Sequence, residues 1–273
     1  MRFDVLTIFP NFFRDIFSHG VLQRALRNGL AEAHTHDLRY FTHDRHRTVD
    51  DRPFGGGEGM VLKAQPILEA AAALGITPKS ERDLSRESVI LLSASGKKFT
   101  QGIARELSKL ERITLICGRY EGVDERITDL LCDRELSIGD YVLTGGELPA
   151  AILIDSTVRL IPGVLGHEDS NRYESFGEGD TGDTRNDVDG VPRSTHGAGG
   201  LLDYPHYTRP ANLAGASIPE ALSGGDHVVI RRWRREAALE KTARNRPDLL
   251  EKAELADTDR KFLSRLPLEG HKE

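Results

Sequence analysis

Two glycine-rich stretches carry the polar side chains best suited to hold a ligand. They read CGRYEGVDER at residues 117–126 and SIGDYVLTGGE at residues 137–147, and each comes at the end of a predicted strand. Glycine lets backbone amides and carbonyls approach a ligand closely, and ligands in α/β proteins bind beyond the carboxyl ends of the strands. Ordinary tight turns are the alternative. Two such stretches in succession favour a binding site.

A third glycine-rich loop, GGGEG at 55–59, invites comparison with phosphate-binding loops. The Walker pattern requires Gly-Lys and then Ser or Thr at the start of a helix, whereas Met60 and Val61 follow here. A Rossmann-type nucleotide site requires a glycine-rich turn directly after the first strand, and this chain has Pro-Asn-Phe there, at 10–12. The sequence therefore argues against both a P-loop and a Rossmann cofactor site, including that of the common Rossmann-type methyltransferases.

The strongest local charge lies near the C-terminus. Residues 231–246 carry seven basic and two acidic side chains and include Trp233, although the whole chain has a formal net charge of −6. A cluster of cations with an aromatic ring on one helix is suited to gripping nucleic-acid phosphates. A solvated helix face is the alternative. The contrast with the acidic remainder of the chain favours nucleic-acid binding.

Metal and redox chemistry find little support in the sequence. Four histidines lie close together between residues 34 and 46, but no neighbouring cysteine or HExxH pattern accompanies them, so solvated loop histidines are favoured over metal ligands. Cys117 and Cys132 are too few for a disulfide scaffold or a cysteine-rich zinc site. They indicate core side chains in a cytoplasmic protein that is kept reduced.

Length, composition and periodicity predict the elements that position these residues. The 273 residues, 38% hydrophobic and 29% charged, suit one large or two modest globular domains. No apolar run is long enough to span a membrane, and the N-terminus lacks the apolar region of a secretory signal, so we expect no membrane partner. Apolar runs at 88–93 and 113–117 lack alternation, which predicts strands covered on both faces of a mainly parallel sheet.

Other segments complete an alternation of strands and helices up to about residue 160. Pro10 ends a strand that begins near residue 2, and Asn11 is suited to cap a helix over 12–17. Further predictions are helices through residues 21–26, 64–74 and 147–160, a loop over 42–60, and a short strand or extended loop over 135–143. This alternation predicts an α/β domain.

Beyond this domain the composition changes twice. Residues 177–200 contain seven glycines and four aspartates but no aromatic residue, so they cannot bury enough apolar surface to offset the entropy of ordering. We interpret them as a flexible insertion in a linker. Residues 228–268 then show a helical pattern that Pro247 interrupts, which predicts a small C-terminal helical domain.

Eight stretches of the chain are distinctive when taken together. They are FDVLTIFP at 3–10, DRPFGGGEGM at 51–60, CGRYEGVDER at 117–126, SIGDYVLTGGELPA at 137–150, LIPGVLG at 160–166, GLLDYPHYTRP at 200–210, LSGGDH at 222–227 and RPDLL at 246–250. In this order, the set resembles the bacterial tRNA (guanine-37-N1)-methyltransferases of the knotted SPOUT class over nearly the whole chain. The set is specific, whereas any single glycine motif is not.

The resemblance implies a trefoil-knotted α/β domain over residues 1–166, a linker over 167–203 and a helical tRNA-binding domain over 204–273. It implies a homodimer whose active sites are each built from both chains. S-adenosylmethionine would lie bent in the knot loops and give its methyl group to N1 of guanosine 37 of tRNA, which follows another guanosine. The family is also described as requiring Mg²⁺, for which no carboxylate cluster in the sequence identifies ligands.

The same resemblance assigns the cofactor to three loops, where mostly backbone groups would hold it. The residues carried over are Leu91, Leu92, Ser93 and Gly96 in the first loop, Gly118 and Tyr120 in the second, and Ile138, Gly139, Asp140, Tyr141, Val142, Leu143, Gly145 and Gly146 in the third.

Catalysis is assigned in the same way. Arg159 would stabilise the negative charge that develops on O6 of guanine as the N1 proton leaves, and Glu121 would help to position the methyl donor or the guanine. The family usually has an aspartate as general base. Glu174 matches that position and keeps the carboxylate, whereas Asp169 keeps the residue type but not the register. Glu174 is favoured, and Asp169 stays open.

Asp203 and Arg209 would contact the RNA or shape its pocket, with a structural turn as the alternative. The chain also departs from the family pattern at Ala94-Ser95, where Pro-Gln is common, and in the insertion at 177–200. Two other functions stay open: a knotted methyltransferase that acts on another RNA position, such as a ribose 2′-hydroxyl, and an RNA-binding protein without turnover. Substitution of Glu174 would be nearly silent in the first, and S-adenosylmethionine would not bind in the second.

Overall fold

The structure, a computed structural model, describes residues 1–166, 174–177 and 199–266. The chain divides into two units, residues 1–166 and 167–273. Asp169 and most of the predicted insertion, residues 178–198, lie outside the described residues.

The first unit is built on a five-stranded sheet in which all strands run parallel. The strands of this unit are β1 (Arg2–Thr7), β2 (Glu32–Asp37), β3 (Asp50–Asp51), β4 (Val61–Leu62), β5 (Glu87–Lys98), β6 (Arg112–Cys117) and β7 (Arg134–Ser137). The order across the sheet is β2-β1-β6-β5-β7, while β3 and β4 form a separate antiparallel pair. The predicted α/β class and mainly parallel sheet are confirmed.

Helices cover both faces of this sheet. They are α1 (Gly20–Arg27), α2 (Ala64–Ala73), α3 (Gln101–Leu107), α4 (Arg126–Leu130) and α5 (Glu147–Val158). Successive side chains of a strand point to opposite faces. Phe3 and Val5 of β1 pack with α1, α3 and α5, whereas Leu6 packs with α2 and α4 on the other face. Both faces are therefore apolar, which explains why β5 and β6 show no alternation in sequence.

Short 3₁₀ helices lie at Pro10–Phe13, Ile16–Ser18, Leu38–Phe41 and Lys79–Glu81. The prediction of one helix capped by Asn11 is wrong, because Phe9 occupies the N-cap position and the chain forms two separate turns. The rings of Phe13 and Phe17 stack with centroids 5.6 Å apart against the core, so two short turns suffice to deliver both rings.

A local irregularity in β5 creates the first of the predicted loops. Leu92 and Lys97 both pair with Leu136 of β7, so residues 93–96, the first loop, project from the sheet between them. A Cβ atom on Gly96 would lie 2.5 Å from the backbone nitrogen of Leu136. Only glycine therefore allows the chain to return to the sheet at this point.

The second unit is mainly helical in its described part. Its helices are α6 (Glu220–Ser223), α7 (His227–Asn245), α8 (Pro247–Leu250) and α9 (Asp257–Leu263), with a small antiparallel pair, β8 (Asn212–Leu213) and β9 (Ala216–Ser217). Asp226 caps α7 by accepting a hydrogen bond from the backbone nitrogen of Val228 at 2.8 Å. Pro247 starts a new helix, as predicted. Among the described residues, no helix has the length and apolar character needed to cross a membrane.

One buried carboxylate ties the amino ends of three strands together. Asp4 of β1 is fully buried and lies 2.8 Å from His36 Nε2 of β2, 2.9 Å from Arg2 Nε and 2.9 Å from Arg112 Nε of β6. Burial raises the pKa of this carboxyl, but the hydrogen bonds from His36, Arg2 and Arg112 outweigh it and hold the pKa well below its ordinary value. We call these four residues the Asp4 cluster.

Asp4→Asn is expected to lower the free energy of unfolding by about 3 kcal/mol at neutral pH, because two arginines lose their buried counter-charge. The folded-state pKa lies below the unfolded value of about 3.9, so the stability is present above that pH and is lost as pH falls through the folded pKa. Chemical denaturation of wild type and variant at pH 7 and pH 3 measures both effects. Exposed Asp15→Asn is the control, and an Asp4→Asn protein as stable as wild type would contradict the prediction.

Candidate active site

A cavity of about 410 Å³ opens at the carboxyl ends of β5, β6 and β7. We call it the strand-end cavity; its walls are the first loop, the second loop (118–124) and the third loop (138–146). Eleven of the fourteen residues predicted to bind a cofactor line it, namely Leu91, Leu92, Ser93, Gly118, Tyr120, Ile138, Gly139, Tyr141, Val142, Leu143 and Gly145. The structure thus brings together residues that are up to 54 positions apart in the chain.

The other three predicted residues do not line the cavity. Gly96 and Gly146 instead allow close backbone approach, since a Cβ on Gly146 would lie 2.6 Å from Cys117 Cα. Asp140 points outward and pairs with Lys98 Nζ at 2.7 Å. The two glycines therefore allow the loops to pack against neighbouring backbone outside the cavity, and Asp140 lies on the outer surface of the third loop.

Glu121 lies on the wall of the strand-end cavity next to the glycine-rich loop. Its backbone nitrogen donates to Met60 O at 3.0 Å, and its side chain fills the space where a Cβ on Gly59 would lie. The neighbouring Tyr120 has a left-handed backbone, with φ of 59°, which turns the chain at this point. The loop at 55–59, to which the sequence assigned no chemistry, thus supports a predicted catalytic side chain.

Sequence reasoning missed several residues of this cavity. They are Ala94, Ser95, Arg119, Gly122, Val123, Glu125, Glu135, Leu136, Ser137 and Pro149. Ser95 Oγ donates to Glu135 Oε1 at 2.8 Å and lies 2.7 Å from Ser93 Oγ, so the Ala94-Ser95 departure leaves a hydrogen-bonded edge on the first loop. Arg119, Gly122, Val123, Glu125 and Ser137 belong to the two glycine-rich stretches without having been assigned individually, and the other five are near neighbours in the chain of assigned residues.

Arg159 is not part of the strand-end cavity. It caps the carboxyl end of α5, whereas the third loop leads into the amino end of that helix. A helix of 12 residues is about 18 Å long, so the two lie at opposite ends of α5 within one chain.

Two predicted residues of the second unit lie near each other. The Oγ atom of Ser175, the residue after Glu174, accepts a hydrogen bond from the backbone nitrogen of Asp203 at 2.9 Å. The Asp203 carboxylate accepts from the backbone nitrogen of Tyr204 at 2.8 Å and lies 2.9 Å from His206 Nε2. Leu202 N donates to Thr242 Oγ1 of α7 at 3.0 Å, so this part of the predicted linker is attached to α7.

The arginines of the predicted basic segment, residues 231–246, make two kinds of contact: ion pairs with carboxylates and stacking on an aromatic ring. Arg235, Arg244 and Arg246 form ion pairs of 2.7–2.8 Å with Asp259, Glu240 and Asp248. Arg234 instead stacks on Tyr204, with its Cζ 4.9 Å from the ring centroid.

A groove of about 890 Å³ beside Arg234 is lined by residues that include Tyr204, His206, Tyr207 and Arg209. No carboxylate is among the described residues of this aromatic–arginine groove.

The described residues offer no site for a nucleophilic cysteine or for a metal ion held by three side chains. Burial raises the pKa of the Cys117 thiol well above its ordinary value and that of Cys132 to about 12, so both thiols stay protonated and unreactive. Within residues 1–166, 174–177 and 199–266, no three His, Cys, Asp or Glu side chains are grouped so that they could hold a metal ion.

Comparison with known proteins gives one consistent result. Residues 1–252 match the sequence profile described as tRNA (Guanine-1)-methyltransferase TrmD. Proteins named tRNA (guanine-N(1)-)-methyltransferase are similar over almost the full length. One from Koribacter versatilis is 55% identical over 266 residues, 97% of this chain and 98% of that protein.

Others come from Geobacter sulfurreducens, 45% identical over 99% of both chains, and Dictyoglomus turgidum, 47% identical over 100% of this chain and 99% of that protein. The predicted resemblance is confirmed, and the prediction of a methyltransferase enzyme is confirmed at the level of the family. The chain belongs to the tRNA (guanine-1)-methyltransferase TrmD family.

Proposed function

We propose that this protein transfers a methyl group from S-adenosylmethionine to N1 of guanosine 37 in tRNA, where that guanosine follows another guanosine. The observation that carries the proposal is the strand-end cavity, which gathers eleven of the residues that the family pattern assigns to the cofactor. The names of the relatives, tRNA (guanine-N(1)-)-methyltransferase, supply the substrate class and the acceptor atom.

The strand-end cavity suits a bent nucleoside cofactor. Its volume of about 410 Å³ falls within the usual range of small-molecule sites, about 300–1,000 Å³. Buried Leu91 and Leu92 supply an apolar floor, and loop backbone supplies polar groups around it. S-adenosylmethionine, when bound, supplies an electrophilic methyl group on a sulfonium. Glu121, on the wall of the cavity, orients the reacting groups.

The acceptor requires a base, because N1 of neutral guanine carries a proton. We assign the removal of that proton to the Glu174 carboxylate, because Glu174 matches the position of the family's general base and a carboxylate can accept a proton. Arg159 stabilises the charge that moves to O6 of guanine. N1 is engaged in Watson–Crick pairs, so the substrate is an unpaired loop nucleotide turned out of the stack.

The second unit offers a surface suited to the RNA. The aromatic–arginine groove combines rings for base stacking with guanidinium groups for phosphates, and its described lining contains no carboxylate. Trp233 supports the groove from α7, with its ring centroid 6.1 Å from that of Tyr207. We assign residues 204–273 to tRNA binding, with Asp203 and Arg209 at its edge, and residues 167–203 to a linker. The reaction takes place where tRNA is, in the cytoplasm.

Two features support a homodimer with shared active sites. Helix α5 is rich in apolar residues, and Leu148 and Ile152, one turn apart, are 50% and 42% exposed, with exposed Asp155 one turn further on. An apolar helix of this kind is normally buried, so the exposed strip is suited to a second copy of the chain. Arg159 and the strand-end cavity lie at opposite ends of α5, so Arg159 would serve the cavity of the partner.

The remaining expectations concern the knot and the metal. The close contact between the second and third loops is consistent with a trefoil knot that threads one past the other. No group of three His, Cys, Asp or Glu side chains forms among the described residues, so we name no ligands for Mg²⁺ and derive no step through the ion.

Incubation with labelled S-adenosylmethionine is expected to methylate a tRNA transcript carrying guanosine at positions 36 and 37. Mass spectrometry of the nucleosides identifies the product as N1-methylguanosine. The control transcript has adenosine at 37 and is expected to stay unlabelled, because adenine carries an amino group in place of the O6 atom that Arg159 would contact. Equal labelling of both transcripts, or a 2′-O-methyl product, would overturn the proposal.

Glu174→Gln is expected to lower kcat by about 10²–10⁴-fold, because the amide cannot accept the N1 proton. The Kd for S-adenosylmethionine, measured by calorimetry, is expected to be unchanged. Asp169→Asn is the matched variant and should retain activity. A silent Glu174→Gln together with an inactive Asp169→Asn would transfer the role of base to Asp169.

Ile152→Glu is expected to convert the dimer to monomer, because a charge at the centre of an apolar interface cannot be desolvated at low cost. Light scattering coupled to size-exclusion chromatography measures the mass, and methyl transfer should be lost with the dimer. Leu84→Glu, at a residue that is 60% exposed elsewhere in the first unit, is the control. A dimeric, active Ile152→Glu protein would rule out this face as the interface.

A further inference from the structure

We propose that Glu147 is a positioning residue for the cofactor loops, which it holds through Arg119. This role rests on the proposed function, since it concerns how the same cavity binds S-adenosylmethionine. Glu147 is the first residue of α5 and is 2% exposed, and it does not line the strand-end cavity. Arg119, which it holds, does line that cavity.

The carboxylate of Glu147 joins three separate elements. Its Oε1 atom accepts a hydrogen bond from Thr7 Oγ1, at the end of β1, at 2.7 Å. Its Oε2 atom accepts from Arg119 Nε at 3.0 Å and also lies 3.0 Å from Arg119 Nη2, so the guanidinium is held by two nitrogens. Thr7, Arg119 and Glu147 form what we call the Glu147 network. It fixes the second loop to β1 and to the start of α5.

Arg119 presses the third loop against the second. The backbones of Arg119 and Gly145 are bridged, and the Arg119 side chain crosses Gly145 where a Cβ atom would lie. Gly146 N donates to Gly118 O at 2.8 Å directly beside this crossing. The two walls of the cavity can therefore separate only if Arg119 moves, and the Glu147 network opposes that movement.

Phe9 closes the network on its remaining side. Its ring centroid is 4.5 Å from Arg119 Cζ, and its backbone nitrogen donates to Thr7 Oγ1 at 2.9 Å. The Thr7 hydroxyl accepts this hydrogen bond and donates another to Glu147, so the hydroxyl is held in a single orientation. A buried carboxylate with hydrogen bonds to both of its oxygens holds its partners rigidly, which suits a group whose task is to fix geometry.

The arrangement also compensates the charge of Arg119. Its charge is neutralised by Glu147 at the point where it reaches the strand-end cavity, so it presents a fixed, compensated wall. The cofactor carries a sulfonium charge, and a compensated arginine avoids repelling it. The guanidinium thus contributes shape rather than charge to the cavity.

Thr7→Val and Glu147→Gln test the proposal, and both keep the shape of the side chain. Thr7→Val removes the hydroxyl that bonds to Glu147, and Glu147→Gln removes the negative charge. We expect the Kd and KM for S-adenosylmethionine to rise about tenfold, as loss of a buried hydrogen bond to a charged group implies. The KM for tRNA and kcat at saturating cofactor are expected to stay within about twofold. Calorimetry gives the Kd, and steady-state methyl transfer with the full-length protein gives the other constants.

Asp4→Asn is the matched control, since it also removes a buried carboxylate paired with arginine, at the opposite end of the sheet. It is expected to lose stability but to bind S-adenosylmethionine as wild type does, which separates positioning from general destabilisation. Folded Thr7→Val and Glu147→Gln proteins with unchanged Kd would overturn the inference, and Thr7→Val alone decides if Glu147→Gln does not fold. A wild type that does not bind S-adenosylmethionine would overturn the proposed function and this inference together.

Discussion

The loops at the carboxyl edge of the sheet are packed so closely that several glycines, three of which form contacts between the loops and the sheet, have no room for a Cβ atom. Gly96 lies on the backbone of Leu136, Gly146 on Cys117, and Gly145 beneath the side chain of Arg119. Any side chain there would push a cavity wall outward. The shape of the strand-end cavity, and hence the chemistry that it can host, depends on these backbone contacts.

Two buried carboxylates lie at opposite ends of the same sheet and have different roles. The Asp4 cluster joins β1, β2 and β6 at their amino ends, far from any cavity that we discuss, and its task is stability. Glu147 joins β1, the second loop and α5 at the carboxyl end, beside the strand-end cavity. Each ionised group is retained because arginine compensates it, and removal of either would leave an arginine without its counter-charge.

Prediction from sequence succeeded where apolar patterning is strong. The cores of β5 and β6 and helices α1, α2, α5 and α7 were found because their apolar runs have strand or helix length. Strand β2 was missed because its sequence, EAHTHD, is polar, as an edge strand with partly exposed side chains permits. The helix expected after Pro10 is instead two short turns, in which Asn11 makes no capping hydrogen bond and Phe13 stacks on Phe17.

The sequence by itself determined the α/β class through its apolar runs. Its motifs taken together determined the family and, through that resemblance, most of the residues of the strand-end cavity. Only the tertiary structure decided that Arg119 and Glu147, 28 residues apart, and Thr7 and Glu147, 140 residues apart, share one hydrogen-bond network. It also decided that Arg159 lies at the far end of α5 from the cavity. Such pairings arise when strands and helices pack, and no spacing along the chain encodes them.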